Sequence, residues 1–282
     1  MLTKSQLKET FAKYDFRPLK RYGENYLIDG NIKDKIIKEA RIAKGDAVLE
    51  IGSGLGALTV DLAESGAAVY AVEKDRKAYG ILKDIVKDDY PNLRLFCADI
   101  LNFDLKNIRS SKKIKVVGNL PYYITTPIIE YLIEHRNSIE SALITVQREV
   151  ANRFLASPET EDYGSISCFV QYYTKPSYIH TIKKTSFWPV PDVDSSLIEL
   201  EILSRPAVSV RDEGRFFKII RGAFNQRRKS IINSLAREPV LNLPKEELSK
   251  ILSNIGIDPA LRPQSLSLST FATLSNALTK SH

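Results

Sequence analysis

Cysteine and histidine are scarce in this chain. Its 282 residues hold two cysteines, Cys97 and Cys168, and three histidines, His135, His180 and His282. The cysteines lie far apart within apolar runs. A disulfide framework is thereby excluded, and both read as buried free thiols of a reducing, cytoplasmic compartment. No histidine stands at metal-ligand spacing from another or from a cysteine, so no metal is expected. No stretch approaches the roughly 18 consecutive apolar residues of a membrane helix, so no membrane partner is expected either. The segment from Met1 to Leu27 mixes Lys, Glu and Asp with isolated apolar residues, unlike a secretory leader or a clear transit peptide. Internal repeats and low-complexity stretches are also missing.

What is present is an ordinary globular composition with its charge unevenly placed. Hydrophobic residues make up 43% and charged ones 27%, enough interior for one large domain plus a small one. The formal net charge of +7 sits in the last quarter of the chain. Residues 205–282 carry 13 Lys and Arg against 6 Asp and Glu, which leaves 28 of each sign elsewhere. A second, local basic excess covers Lys4 to Arg21. Positive charge segregated in this way favours a polyanionic partner, because basic side chains release counterions condensed on phosphates.

Strands and helices alternate through the first two thirds. Asn31 is a plausible cap for a helix carrying Ile32, Ile36, Ile37 and Ala40 on one face. Ala47–Ile51 reads as a buried strand, followed by the Gly52–Gly56 turn and a helix closing near Gly66. Ala68–Glu73 is a second strand, and Asp75 caps a helix towards Tyr90. Leu93–Cys97, Ile114–Val117 and Ala142–Val146 are further strands. Thr126-Pro127 starts one helix, and another runs from about Arg148 to Ala156. Pro158–Gly164 is an acidic, breaker-rich loop. Two late strands near Tyr178–Ile182 and Leu197–Ile202 suggest an antiparallel end to an otherwise parallel, doubly wound α/β sheet. Beyond residue 204, Phe216, Ile220, Phe224, Ile231 and Leu235 trace a helical stripe that Arg227-Arg228-Lys229 interrupts. Pro244–Leu252 and Ser269–Leu278 add two more helices. The predicted domains are thus 1–204, α/β, and 205–282, helical and basic.

Two motifs carry chemistry. In Glu50-Ile51-Gly52-Ser53-Gly54-Leu55-Gly56-Ala57, the glycines let a ligand approach the backbone closely. The spacing also fits a dinucleotide fingerprint, and Glu73 suits a ribose diol in either case. Glu50 favours S-adenosylmethionine, because it adds negative charge where a pyrophosphate would sit. Asp99-Ile100 adds a carboxylate and an apolar flank suited to adenine. In Asn119-Leu120-Pro121-Tyr122, the Asn119 side-chain oxygen and the Leu120 carbonyl match the two hydrogens of an exocyclic amine, and the Tyr122 ring matches the flat base. The amine's lone pair is delocalised, so positioning it is the main task of such a site. A second aromatic platform is expected from Phe187, in the proline-stiffened Phe187–Ser195 loop.

Taken together, these residues resemble the ribosomal RNA small-subunit adenine dimethyltransferases of the KsgA type. The resemblance runs through Arg21–Leu27, Glu50–Gly56, Glu73, Asp99, Asn119–Ile128, Gln147–Ala151 and Phe187–Ser195. It implies a Rossmann-like class I methyltransferase sheet with a small helical C-terminal domain, in which Asn25, Leu27, Gly52, Gly54, Glu73, Asp99 and Asn119 would bind the cofactor S-adenosylmethionine. It further implies that Asn119, Leu120, Tyr122 and Phe187 hold the target adenine. Two adjacent adenosines near the 3′ end of small-subunit rRNA would each be dimethylated at N6 during subunit maturation. Glu24-Asn25-Tyr26 departs from the family's usual Gln or His, then Asn, then Phe, but keeps the Asn. Arg227, Arg228 and Lys229 are expected to dock rRNA, and the chain to act as a monomer. Two other readings stay open: a large-subunit rRNA adenine methyltransferase of the antibiotic-resistance type, and a non-catalytic assembly factor. Val193-Asp194-Ser195 and Tyr122–Pro127 look more like the small-subunit type. The intact Gly52–Gly56 and Asn119–Tyr122 argue against lost catalysis.

Overall fold

The computed structural model describes residues 4–16, 25–87, 89–238, 241 and 243–279. Arg21 to Glu24 of the family pattern, and His282, lie outside the described residues. Among those described, the strands are β1 (Tyr26–Leu27), β2 (Ala47–Ile51), β3 (Ala68–Glu73), β4 (Leu93–Cys97), β5 (Ile114–Asn119), β6 (Ile139–Gln147), β7 (Thr174–Ile182), β8 (Phe187–Trp188) and β9 (Ser195–Ile202). The helices are α1 (Lys4–Lys13), α2 (Gly30–Glu39), α3 (Thr59–Glu64), α4 (Arg76–Val86), α5 (Thr125–Glu134), α6 (Arg148–Leu155), α7 (Ser165–Tyr173), α8 (Glu213–Asn225), α9 (Ile231–Leu235), α10 (Lys245–Asn254) and α11 (Leu268–Leu278).

Two compact units form: Met1–Ala151 with Ser177–Ile202, and Asn152–Pro176 with Leu203–His282. The expected boundary at 204/205 is thus corrected. The chain leaves the α/β unit twice, and residues 152–176 belong with the C-terminal helices. The reason is aromatic packing. Phe169 and Tyr172 of α7 meet Phe217 and Phe216 of α8 at ring-centroid distances of 5.4 and 5.2 Å. The stripe read from the sequence (Phe216, Ile220, Phe224, Ile231, Leu235) is buried inside this helical unit.

In the α/β unit the sheet order is β4-β3-β2-β5-β6-β9-β7. β2 pairs in parallel with both β3 and β5, β3–β4 and β5–β6 are also parallel, and β6–β9 is antiparallel, as is the separate β1–β8 pair. Every residue of β2 is buried, as a strand with both faces covered should be. The chain passes from β2 outward to β3 and β4, then returns to β5 on the other side of β2. Such a reversal opens a crevice at the carboxyl ends of the strands. Two local expectations change. The cap of α2 is Asp29, whose Oδ1 accepts the Asn31 and Ile32 amides and whose Oδ2 accepts the Ser186 hydroxyl. Of the two free thiols Cys168 is buried, but Cys97 is exposed, because it ends the edge strand β4.

Candidate active site

The carboxyl ends of β2, β3 and β5 open into a cleft with about 1190 Å³ of non-protein space, mouth included. That is ample for a nucleoside-sized ligand. Its wall contains Asn25, Leu27, Glu50, Gly52, Gly54, Glu73, Asp99, Asn119, Leu120 and Tyr122. The structure therefore gathers every sequence-predicted cofactor residue and three of the four predicted adenine-holding residues into one cleft.

The glycine turn forms the floor. Gly52, Gly54 and Gly56 have φ of +72°, +54° and +85°, a region side chains disfavour. The Gly52 amide donates to the Val72 carbonyl of β3 at 2.9 Å, which ties the turn to the neighbouring strand. A methyl group added at Gly118, in β5, would lie 2.9 Å from the Ile51 carbonyl oxygen. Only glycine there lets β5 run close beside β2 and deliver Asn119 to the turn.

Acidic groups line the cleft beside the turn. Glu73 uses both oxygens, accepting the Gly54 and Asp75 amides at 2.8 Å each. Burial pushes its pKa up, while those two amides pull it back. Glu50 is 2% exposed, and its Oε2 has no hydrogen-bond partner among the described residues. Burial raises its pKa to about 8, the Thr59 hydroxyl works against the rise, and the Glu73 charge adds to it. Ser53 Oγ is likewise buried without a partner. At Asp99, burial works upward, but the Lys74 ammonium at 2.7 Å and the Leu101 amide outweigh it and lower the pKa.

Asn119 also lines the cleft. Its Nδ2 donates to the Asn25 carbonyl at 2.9 Å, so the amide turns its oxygen to the cleft as an acceptor. Neither Asn119 Oδ1 nor the Leu120 carbonyl oxygen accepts a hydrogen bond from a described residue. Two unused acceptors on adjacent residues match the two hydrogens of one amine. The Tyr122 ring follows on a single 3₁₀ turn, Tyr122–Ile124.

Phe187 is not in the cleft wall. It is 1% exposed and pairs across β1–β8 with Leu27, packing in the same cluster as Leu197. The predicted second platform is corrected: Phe187 is buried in one hydrophobic cluster with its cross-strand neighbour Leu27. Sequence reading missed a further contributor, Leu7 of α1, which reaches the cleft wall. The i, i+4 spacing of Leu7 and Phe11 was the available signal. In the helical unit, Arg227 donates to the Glu161 and Tyr163 carbonyls at 2.5 and 2.8 Å. Arg228 and Lys229 are exposed. Among the described residues no group of His, Cys, Asp and Glu could hold a metal ion, and no helix is long and apolar enough to cross a membrane.

A glycine turn at the switch point of a mostly parallel sheet, beside an acidic strand end, defines a class I methyltransferase fold. The model of the ribosomal RNA adenine dimethylase family matches residues 16–280, and the chain belongs to that family. It is 42% identical over 286 residues to ribosomal RNA small subunit methyltransferase A of Geobacillus kaustophilus (strain HTA426), covering 98% of this chain and 96% of that protein. Its structure is similar to a dimethyladenosine transferase from Plasmodium falciparum, with a TM-score of 0.77, 26% identity, and coverage of 88% and 95%. The fold alone is also similar to the 23S rRNA methyltransferase ErmE, with a TM-score of 0.69, 24% identity, and coverage of 90% and 99%.

Proposed function

We propose that this chain dimethylates the N6 amines of two adjacent adenosines near the 3′ end of small-subunit rRNA, using S-adenosylmethionine, during subunit maturation. The observation that carries this reading is the pair of unused acceptors, Asn119 Oδ1 and Leu120 O, beside the glycine turn. The cleft suits the cofactor's chemistry. An unpartnered, buried Glu50 oxygen calls for a cationic group, and the turn excludes side chains where a ligand must come close. Asn25, Leu27, Gly52, Gly54, Glu73, Asp99 and Asn119 would hold it. When bound, it supplies a methyl group made electrophilic by a sulfonium. The chain's own part is to fix the adenine. Asn119 and Leu120 accept the amine hydrogens, and Tyr122 offers its ring, so the nitrogen is oriented without needing a strong base. The base must leave any stack first, and an aromatic face offsets part of that cost.

The test is transfer of labelled methyl from S-adenosylmethionine to unmethylated small and large ribosomal subunits, with digestion to nucleosides. Label in N6,N6-dimethyladenosine from the small subunit alone is expected. Label from the large subunit instead, or from neither, overturns the reading.

The helical unit is assigned to rRNA docking, with a distinction between neighbours. Arg228→Ala and Lys229→Ala should each weaken subunit binding and flatten its salt dependence by about one phosphate contact, leaving thermal unfolding unchanged. Arg227→Ala should instead lower the unfolding midpoint, because it frees the Glu161 and Tyr163 carbonyls that Arg227 now holds. Binding isotherms across salt and a melting curve separate the two outcomes. An Arg227→Ala melt equal to wild type would show that its contacts add no stability.

A further inference from the structure

We propose that Ser195 is a positioning residue for the reaction, fixing the rotation of the Tyr122 ring. The inference rests on the methyltransferase reading above and adds a residue to it. The Tyr122 and Ser195 hydroxyls share a hydrogen bond of 2.7 Å. An aromatic platform needs only its ring face, and phenylalanine would provide one without a hydroxyl to satisfy. Here the hydroxyl is present, partly buried, and directed at a partner that is itself 0% exposed. Pairing removes the cost that an unmatched buried hydroxyl would carry.

The partner is also rigid. Ser195 begins β9 and is in register with Gln147 of β6. One residue earlier, the Asp194 carbonyl accepts the Arg148 amide at 3.1 Å. The Asp194 carboxylate accepts the Lys184 amide at 3.0 Å and pairs with Lys183 at 3.3 Å. Ser195 is therefore an anchor fixed to the sheet, whereas Tyr122 sits on one 3₁₀ turn between the strand end and α5. On that turn, Thr125 Oγ1 donates to the Pro121 carbonyl at 3.2 Å, which fixes the backbone and leaves the ring to Ser195. Burial raises the Tyr122 pKa, so the phenol keeps its proton for this contact.

A double-mutant cycle tests the role in the folded enzyme. Tyr122→Phe keeps the ring and removes the contact, and Ser195→Ala removes it from the other side. Each is expected to lower kcat on small subunits by about tenfold, with cofactor affinity by calorimetry unchanged. The double variant should be no slower than the slower single, because one interaction is lost in all three. Multiplying effects in the double variant, or a Tyr122→Phe enzyme at wild-type kcat, overturns the proposal. Should Ser195→Ala not fold, Tyr122→Phe decides alone, since it leaves the sheet untouched. Wild-type turnover in the same assay separates the two levels: without it the methyltransferase reading fails, and with it only the Ser195 role is at stake.

Discussion

Asn119→Ala should slow methyl transfer by about two to three orders of magnitude while leaving the unfolding midpoint close to wild type. The size follows from what the proposed mechanism would lose: one of two preorganised acceptors that would orient the reacting nitrogen, in a site where positioning would supply most of the acceleration. The fold is spared because Asn119 ends its strand with the side chain at a cleft, and its one hydrogen bond, to the Asn25 carbonyl, is with a loop residue. Asn119→Asp separates two contributions. It keeps an oxygen towards the cleft but cannot donate to Asn25, so the acceptor remains while its tether is cut. Activity between wild type and alanine would show that the tether matters. Single-turnover rates on unmethylated small subunits are the measurement, and an alanine variant within a few-fold of wild type would falsify the assigned mechanism.

Much of this site was legible because its signals are local. Ala68–Glu73 and Leu93–Cys97 fall at their observed bounds: the first is an apolar run covered on both faces, and the second is a short edge strand whose apolar residues flank Arg94. The glycine turn and the Asn119–Tyr122 run both line the cleft, and each residue type in them suits a separate chemical task in the proposed mechanism. Three features were hidden, each by contacts distant in sequence. Ser165–Tyr173, rich in aromatic and β-branched residues, has strand propensity. It folds as α7 because its rings are taken up by α8, a tertiary override of local preference. Phe187 reads equally well as platform or core until its register with Leu27 is known. Arg227 looks like its neighbours Arg228 and Lys229, and only the Glu161 and Tyr163 carbonyls distinguish it.

Cofactor affinity should rise with pH between 6 and 7.5, by up to about tenfold per unit, and Glu50→Gln should abolish the slope. Glu50 lies in the cleft wall with its pKa raised by burial from an ordinary 4.5 to about 8. Below that value it is neutral in the ligand-free protein, and a cationic ligand must drive off its proton to gain a charged partner. Linkage then demands one proton released per ligand bound, which is a tenfold change per pH unit. The other groups around it are Glu73, also raised, Asp75, whose carboxylate caps α4, the Lys74–Asp99 pair and the Thr59 hydroxyl. Of these, Glu73 is the one whose charge raises Glu50 further. The same shift has a consequence for the ligand-free fold, with the sign set by a folded pKa above the unfolded one. The native state holds the proton that the unfolded chain has given up, so this stabilising contribution is full below about pH 4.5 and is lost as pH rises towards 8. Glu50→Gln cannot titrate, and its unfolding midpoint should fall less than wild type's between pH 5.5 and 8.5. Calorimetric titration in buffers of different ionisation enthalpy counts the released proton directly. A glutamine variant with the wild-type slope would place the linked proton elsewhere, with Glu73 the next residue to replace.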